Sequence, residues 1–196
     1  PVPVGESSSA ISDCVISRHR RQAFVLADYS ISVLDLQASP PAVPEEGGSI
    51  PLRLWPREIA ISPDQEFLLA CNSPSLALTV IRLADQTPVE TFDLGANCGA
   101  MDVCADGSVL VASWDSASVR RLVLDESGNL IDTGEELDIR EPANVYCAPD
   151  GRTGIALGKT WSGGDGRVQS FTIPSLEPLD QLQTEDAWIR SAEFAS

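Results

Sequence analysis

Ile59-Ala60-Ile61-Ser62-Pro63-Asp64 returns in altered form as Met101-Asp102-Val103-Cys104-Ala105-Asp106-Gly107, and again as Val145-Tyr146-Cys147-Ala148-Pro149-Asp150-Gly151. Aligned so that Ser62, Cys104 and Cys147 coincide, the three stretches stand 42 and 43 residues apart. A step of 45 back from Ser62 reaches Ser17, in Cys14-Val15-Ile16-Ser17-Arg18-His19. A step of 48 forward from Cys147 reaches Ala195, in Ala192-Glu193-Phe194-Ala195-Ser196. A period of this size marks one supersecondary unit used repeatedly, each unit covering its neighbour's apolar face. The chain therefore reads as four repeats and the stub of a fifth, with bounds near 10–54, 55–95, 96–141, 142–186 and 187–196.

Within each repeat four short strands are legible. The first ends at the turn just quoted, where Pro and Asp-Gly supply the backbone angles of a tight hairpin. The second is a continuous apolar run: Phe24-Val25-Leu26-Ala27, Phe67-Leu68-Leu69-Ala70, Val109-Leu110-Val111-Ala112 and Ile155-Ala156-Leu157. Runs of that length bounded by turn residues belong to strands buried on both faces. The third strands are Ile31 to Asp35, Leu78 to Ile81, Val119 to Val123 and Val168 to Phe171, several of which alternate as half-exposed strands do. The fourth, Ser49 to Leu54, Val89 to Phe92, Leu130 to Thr133 and Leu179 to Leu182, are more polar and suit an outer edge. No segment carries a helical period. Four strands recurring every 40 to 50 residues predict an all-β chain, a β-propeller of four-stranded antiparallel blades. The Pro-rich stretch 37–48 and the Gly-rich stretch 160–166 are then insertions within blades.

Composition narrows the function classes. The chain has 196 residues, 43% hydrophobic and 21% charged, and its 13 basic against 29 acidic residues give a net charge of −16. A surface that negative repels phosphate backbones and anionic lipid, so neither nucleic acid nor membrane insertion is expected. No window approaches the apolar length of a membrane helix. Lys159 is the single lysine. The opening Pro1-Val2-Pro3-Val4 has neither an initiator methionine nor a signal-peptide pattern, which suggests a processed form or an excised segment.

Candidate chemistry is sparse. His19, the only histidine, lies in Arg18-His19-Arg20-Arg21 at a hairpin turn, where the surrounding cations disfavour its accepting a proton and a solvated turn is the simpler reading. The run Gly163-Gly164-Asp165-Gly166 lacks the context of a phosphate loop or a calcium site. Acidic pairs such as Glu45-Glu46, Asp125-Glu126 and Glu135-Glu136 read as solvated surface. The five cysteines form no CxxC pair, so no metal site or cofactor is expected. They leave buried thiols or one disulfide with an odd thiol. Cys71 follows a second strand and Cys98 precedes the next first strand, which places them on one face of neighbouring blades as the one pair proposed to bridge. Cys104 and Cys147, on innermost strands, are expected to be buried thiols.

The aromatic residues are more informative. Loops before first strands and between second and third strands emerge on the same face of such a disc. Trp55 and Trp188 precede first strands, whereas Trp114 (followed by Asp115) and Trp161 follow second strands. Trp55-Pro56-Arg57 and Trp188-Ile189-Arg190 occupy equivalent repeat positions, with Asn97 and Arg140 in the corresponding loops between them. Arg57 and Arg190 are expected near the central channel. Trp and Arg are the types enriched where proteins bind partners, although large aromatics also seal the ends of cores.

Ala27-Asp28-Tyr29-Ser30-Ile31-Ser32-Val33-Leu34-Asp35 resembles the strand-loop-strand signature of YVTN-type β-propeller repeats, and Ile61-Ser62-Pro63-Asp64 and Cys147-Ala148-Pro149-Asp150-Gly151 are similar to that family's first hairpin turn. The resemblance covers residues 10–196 and implies a ring usually of seven blades, of which this chain would be a part. It also implies a range of roles: lactonase-like enzymes, dehydrogenase subunits, and secreted or surface-layer binding modules. The residues favour a binding or scaffold module over an enzyme. It would be periplasmic or extracellular, presenting Trp55, Arg57, Asn97, Trp114, Asp115, Arg140, Trp161, Trp188 and Arg190 to a protein or small-molecule ligand. The alternative is a lactonase-like enzyme or dehydrogenase subunit whose catalytic residues lie partly outside the chain. An open arc of blades leaves apolar faces uncovered, so either further blades or a second copy is expected to complete the ring.

Overall fold

The computed structural model describes residues 11–45, 47–52, 56–72, 75–158 and 166–184. Its sixteen strands fall into four antiparallel sheets of four, each wound in chain order. The first holds β1 (Ile11–Ser17), β2 (Gln22–Ala27), β3 (Ser30–Asp35) and β4 (Ser49–Pro51). The second holds β5 (Pro56–Ile61), β6 (Phe67–Asn72), β7 (Ala77–Arg82) and β8 (Thr87–Asp93). In the third are β9 (Ala100–Val103), β10 (Ser108–Ser113), β11 (Ser118–Leu124) and β12 (Leu130–Asp138), and in the fourth β13 (Pro142–Cys147), β14 (Thr153–Gly158), β15 (Gly166–Thr172) and β16 (Pro178–Thr184). The insertion after β3 folds back through a bridge between Asp35 and Ala42. The expected stub, 187–196, lies outside the described residues.

Burial follows the sequence pattern strand by strand. Every residue of β6 and β10 is buried, as continuous apolar runs require when both faces of a sheet are covered, while six of the seven residues of β16 are exposed. The cores lie between the sheets. Phe24, Leu26 and Ile31 pack with Leu68, Ala70 and Ile81 between the first and second; Leu69, Cys71 and Val80 pack with Val109, Val111 and Leu122 between the second and third. Leu110, Ala112 and Val119 pack with Ala156 and Phe171 between the third and fourth. Side chains alternate across a strand, so each inner sheet contributes to two cores. Full burial of a Leu or Phe contributes roughly 1.5–3 kcal/mol, which makes sheet-on-sheet packing the main cohesive term.

First strands of successive sheets touch: β1 meets β5, β5 meets β9, and β9 meets β13. At these seams a side chain of one sheet reaches the next position along in the following sheet. Asp13 accepts a hydrogen bond from the Ile59 amide (2.8 Å), Glu58 from the Met101 amide (2.6 Å), and Asp102 from the Cys147 amide (2.7 Å). Buried backbone donors need partners, and these carboxylates supply them across the seam.

The hairpins refine the repeat alignment. Ser62 N–H donates to Phe67 O and Cys104 N–H to Ser108 O, but in the fourth sheet the equivalent donor is Ala148, to Thr153 O. Ala148, not Cys147, is therefore the counterpart of Ser62 and Cys104. The cause is turn chemistry: Pro149-Asp150-Gly151 matches Pro63-Asp64-Gln65, and Gly107 (φ 85°), Gly151 (φ 65°) and Gln65 (φ 61°) share the left-handed position.

Disulfides sew the last three sheets together. Cys71 and Cys98 are joined with Cα atoms 5.7 Å apart, linking the second sheet to the third. Cys104 and Cys147 are joined as well, 5.4 Å apart, linking the third to the fourth. The expectation that these two are buried thiols is thus corrected. Cys104 directly follows β9 and Cys147 ends β13, where the innermost strands of the two sheets come close enough for side chains to bond. Cys14 is the free, exposed cysteine.

Candidate functional site

Loops entering β9 and β13 and leaving β10 emerge at one end of the arc, and there the third sheet builds a defined group. Asn97 donates to the Asp115 carboxylate from both its backbone N–H (3.1 Å) and its side-chain Nδ2 (3.0 Å). Asp115 also accepts from Ser113 Oγ (2.5 Å) and from the Ser116 amide (3.0 Å). Partial burial acts to raise the Asp115 carboxyl, but the bonds from Ser113, Asn97 and Ser116 outweigh it and hold the group below the usual carboxylate range. Asp115 is thus ionised and fixed.

Beside it, the Trp114 indole is 47% exposed. It lies against Gly99, where an added Cβ would come within 3.1 Å of Trp114 Cδ1 and 3.1 Å of the Ala112 carbonyl. A side chain there would press on both, so the backbone before β9 serves as a shelf for the ring. The structure therefore joins three of the residues singled out by sequence: Asn97, Trp114 and Asp115. Arg57, in β5, and Arg140, before β13, are exposed on the flanking sheets. Arg140 Nε lies 4.0 Å from Glu141 Oε1. No hydrogen bond among the described residues ties either arginine to the Asp115 group. Trp55, Trp161, Trp188 and Arg190 lie outside the described residues.

Sequence reading missed a second set of polar groups, the seam carboxylates. Burial pushes the Glu58 carboxyl up to about 7; the Met101 amide opposes this, the Asp13 and Asp102 charges add to it, and Arg57 opposes it. Burial likewise raises Asp102, against the hydrogen bonds from the Cys147 and Val103 amides. The available signal was repeat position, since Asp13 and Glu58 each stand four residues before the matched Ser17 and Ser62. Among the described residues no three His, Cys, Asp or Glu side chains group as metal ligands.

Two of the recesses among the described residues open at the opposite end, among the hairpin turns. One, of about 520 Å³, is lined by Ile16, Ser17, Arg18, Arg21, Leu36 and Gln37 on the first sheet. The other, of about 190 Å³, lies between the second and third sheets and includes Asp64, Asp106 and Asp125. These aspartates are occupied in their own turns: Asp64 accepts from the Glu66 amide, Asp106 from the Ser108 amide, and Asp125 from the Ser127 and Asn129 amides.

No protein-family model matches the chain, and no curated protein matches it. Solved structures do. The hydrazine synthase of Kuenenia stuttgartiensis superposes with a TM-score of 0.77 at 17% identity, over 93% of this chain and 51% of that one. The periplasmic gluconolactonase of Pseudomonas aeruginosa gives 0.72 at 19% identity, over 91% and 54%. A putative 6-phosphogluconolactonase from Bacteroides uniformis gives 0.68 at 15% identity, over 92% and 61%. The fold is that of a β-propeller. Each four-stranded sheet is a blade, and the chain spans between half and two thirds of the length of these propeller proteins.

Proposed function

We propose that this chain is a ligand-binding arc of a YVTN-type β-propeller, located in the periplasm or outside the cell, with the Trp114 end as its working face. The observation that carries the reading is the half-exposed indole, seated on Gly99 beside an ionised, four-times hydrogen-bonded Asp115. An aromatic plane held beside a fixed acceptor is preorganised, so a ligand meets it without first ordering it. Arg57 and Arg140 on the flanking blades would add donors for a protein or small-molecule ligand. Two disulfides fit an oxidising compartment, which supports export. Binding arrays of glycans and peptides, probed with the wild-type chain and with Trp114→Ala, test the reading. Ligands that the variant loses support it; ligands that it retains at undiminished affinity overturn it.

The second reading is lactonase-like, and the fold shared with gluconolactonases favours it. It requires groups that the described residues do not assemble, supplied by further blades. Hydrolysis of glucono-δ-lactone above the uncatalysed rate by this arc joined to such further blades would decide in its favour.

A further inference from the structure

Trp114 is the largest of the exposed apolar side chains among the described residues. Its seat on Gly99 involves the pyrrole side of the ring, Cδ1 and Nε1, and nearly half of the side chain stays open to solvent. An indole face carries negative partial charge, so beyond apolar area it offers attraction for a cation.

The carboxylate beside the ring narrows the ligand further. Two carboxylate oxygens present about four lone-pair sites. In Asp115 four donors of the chain itself occupy them: Ser113 Oγ and the Ser116 amide on Oδ1, Asn97 Nδ2 on Oδ2, and the Asn97 amide shared between both oxygens at 3.1 Å. A ligand hydroxyl or N–H brought to this group gives up water and finds no vacant lone pair, which costs it a hydrogen bond. The negative charge, by contrast, is still on offer. Asp115 enters no ion pair among the described residues, and the net charge of −16 favours the approach of a cation.

That combination separates three classes of ligand. A sugar brings hydroxyl donors, which Asp115 cannot take. A primary ammonium or a guanidinium brings the right charge but carries N–H groups in need of acceptors. A fully alkylated ammonium carries the charge, has no N–H, and presents methyl groups that pack on an aromatic face.

We propose that the Trp114 end takes a small soluble ligand bearing a quaternary ammonium group, its methyls on the exposed indole and Asp115 as counter-charge. The proposal rests on the reading of this end as the binding face and supplies the class of ligand. Arg57 and Arg140, exposed on the flanking blades, suit an anionic group elsewhere on the same molecule.

Proton–nitrogen correlation NMR of the indole N–H groups tests this, the Trp114 signal being the one that Trp114→Ala removes. At constant ionic strength choline should shift that signal saturably. It should bind at least about fivefold more tightly than neohexanol, the uncharged isostere with carbon in place of nitrogen, and at least about threefold more tightly than ethanolamine, the primary ammonium. Asp115→Asn, with wild-type circular dichroism, should bring choline and neohexanol within about twofold of each other, since only the charged ligand feels the lost carboxylate. The comparison of the three ligands on the wild-type chain holds whether or not that variant folds. No response to choline, or equal binding of choline and either analogue, overturns the proposal and leaves the Trp114 end as a face for another class. Choline binding undiminished by Trp114→Ala overturns the binding face as well. Cosedimentation with phosphatidylcholine vesicles in the absence of choline binding overturns the assignment to a soluble ligand in favour of a lipid headgroup.

Discussion

The seam between blades one and two and the seam between blades three and four solve one problem by different chemistry. Both have an apolar core and a carboxylate that accepts from a backbone amide across the gap, Asp13 to Ile59 in one and Asp102 to Cys147 in the other. They part at the matched position. Ser17, fully buried, donates to Gln65 Oε1 at 2.9 Å, with Arg20 and Glu66 pairing at 3.2 Å nearby, whereas its counterpart Cys104 is bonded covalently to Cys147. The seam between blades two and three resembles the latter, stapled by Cys71–Cys98. Geometry offers each seam a short crossing near the innermost strands. Residue chemistry decides whether that crossing survives a change of redox state.

The largest expected effect follows from that contrast. Closing chain separations of 43 and 27 residues, the two disulfides should contribute about 4 and about 3.5 kcal/mol by the loop-entropy relation. Cys104→Ala with Cys147→Ala, or reduction, should shift the urea midpoint accordingly. Thiol titration of the oxidised native chain should find Cys14 alone. A count of five thiols would erase the distinction between the seams, and a count of three would confine it to one of them.

Glu58 sharpens the comparison through pH. Its folded carboxyl stays protonated to about pH 7 while the unfolded one ionises near 4.5, so over that window the unfolded state binds fewer protons and stability falls as pH rises. Glu58→Gln keeps an acceptor for the Met101 amide and removes the penalty. It should stabilise the chain by on the order of 3 kcal/mol above neutrality and have almost no effect near pH 4. Equal stabilisation at both pH values would place the cause in packing instead.

The smallest effects belong to the hydrogen-bonded seam. Ser17→Ala removes one of the two donors to Gln65 Oε1, leaving the His19 amide, and takes the acceptor from the Arg20 amide, and should cost about 1–2 kcal/mol. Arg20→Ala removes a partly exposed ion pair, should cost less than about 1 kcal/mol, and should lose even that at high salt. Chemical denaturation at two salt concentrations separates them. Equal costs would mean that the seam depends on charge rather than on the buried hydroxyl.

Much of this architecture is determined by the sequence alone. The recurring turn, the apolar second strands and the polar fourth strands need only local chemistry: Pro and Gly fix turn angles, and burial on both faces demands an unbroken apolar run. Trp114, Asp115 and Asn97 could be assigned to one end because strand direction alone determines which loops share it. Tertiary structure decided what depends on distances between repeats. The Cys104–Cys147 bond, the Asp13, Glu58 and Asp102 crossings and the one-residue shift of blade four all arise where innermost strands of adjacent blades converge. The repeat period brings those positions close but leaves their mutual offset undefined. That offset is set by how two sheets settle against a shared core, and a single residue of it separates a buried thiol from a disulfide.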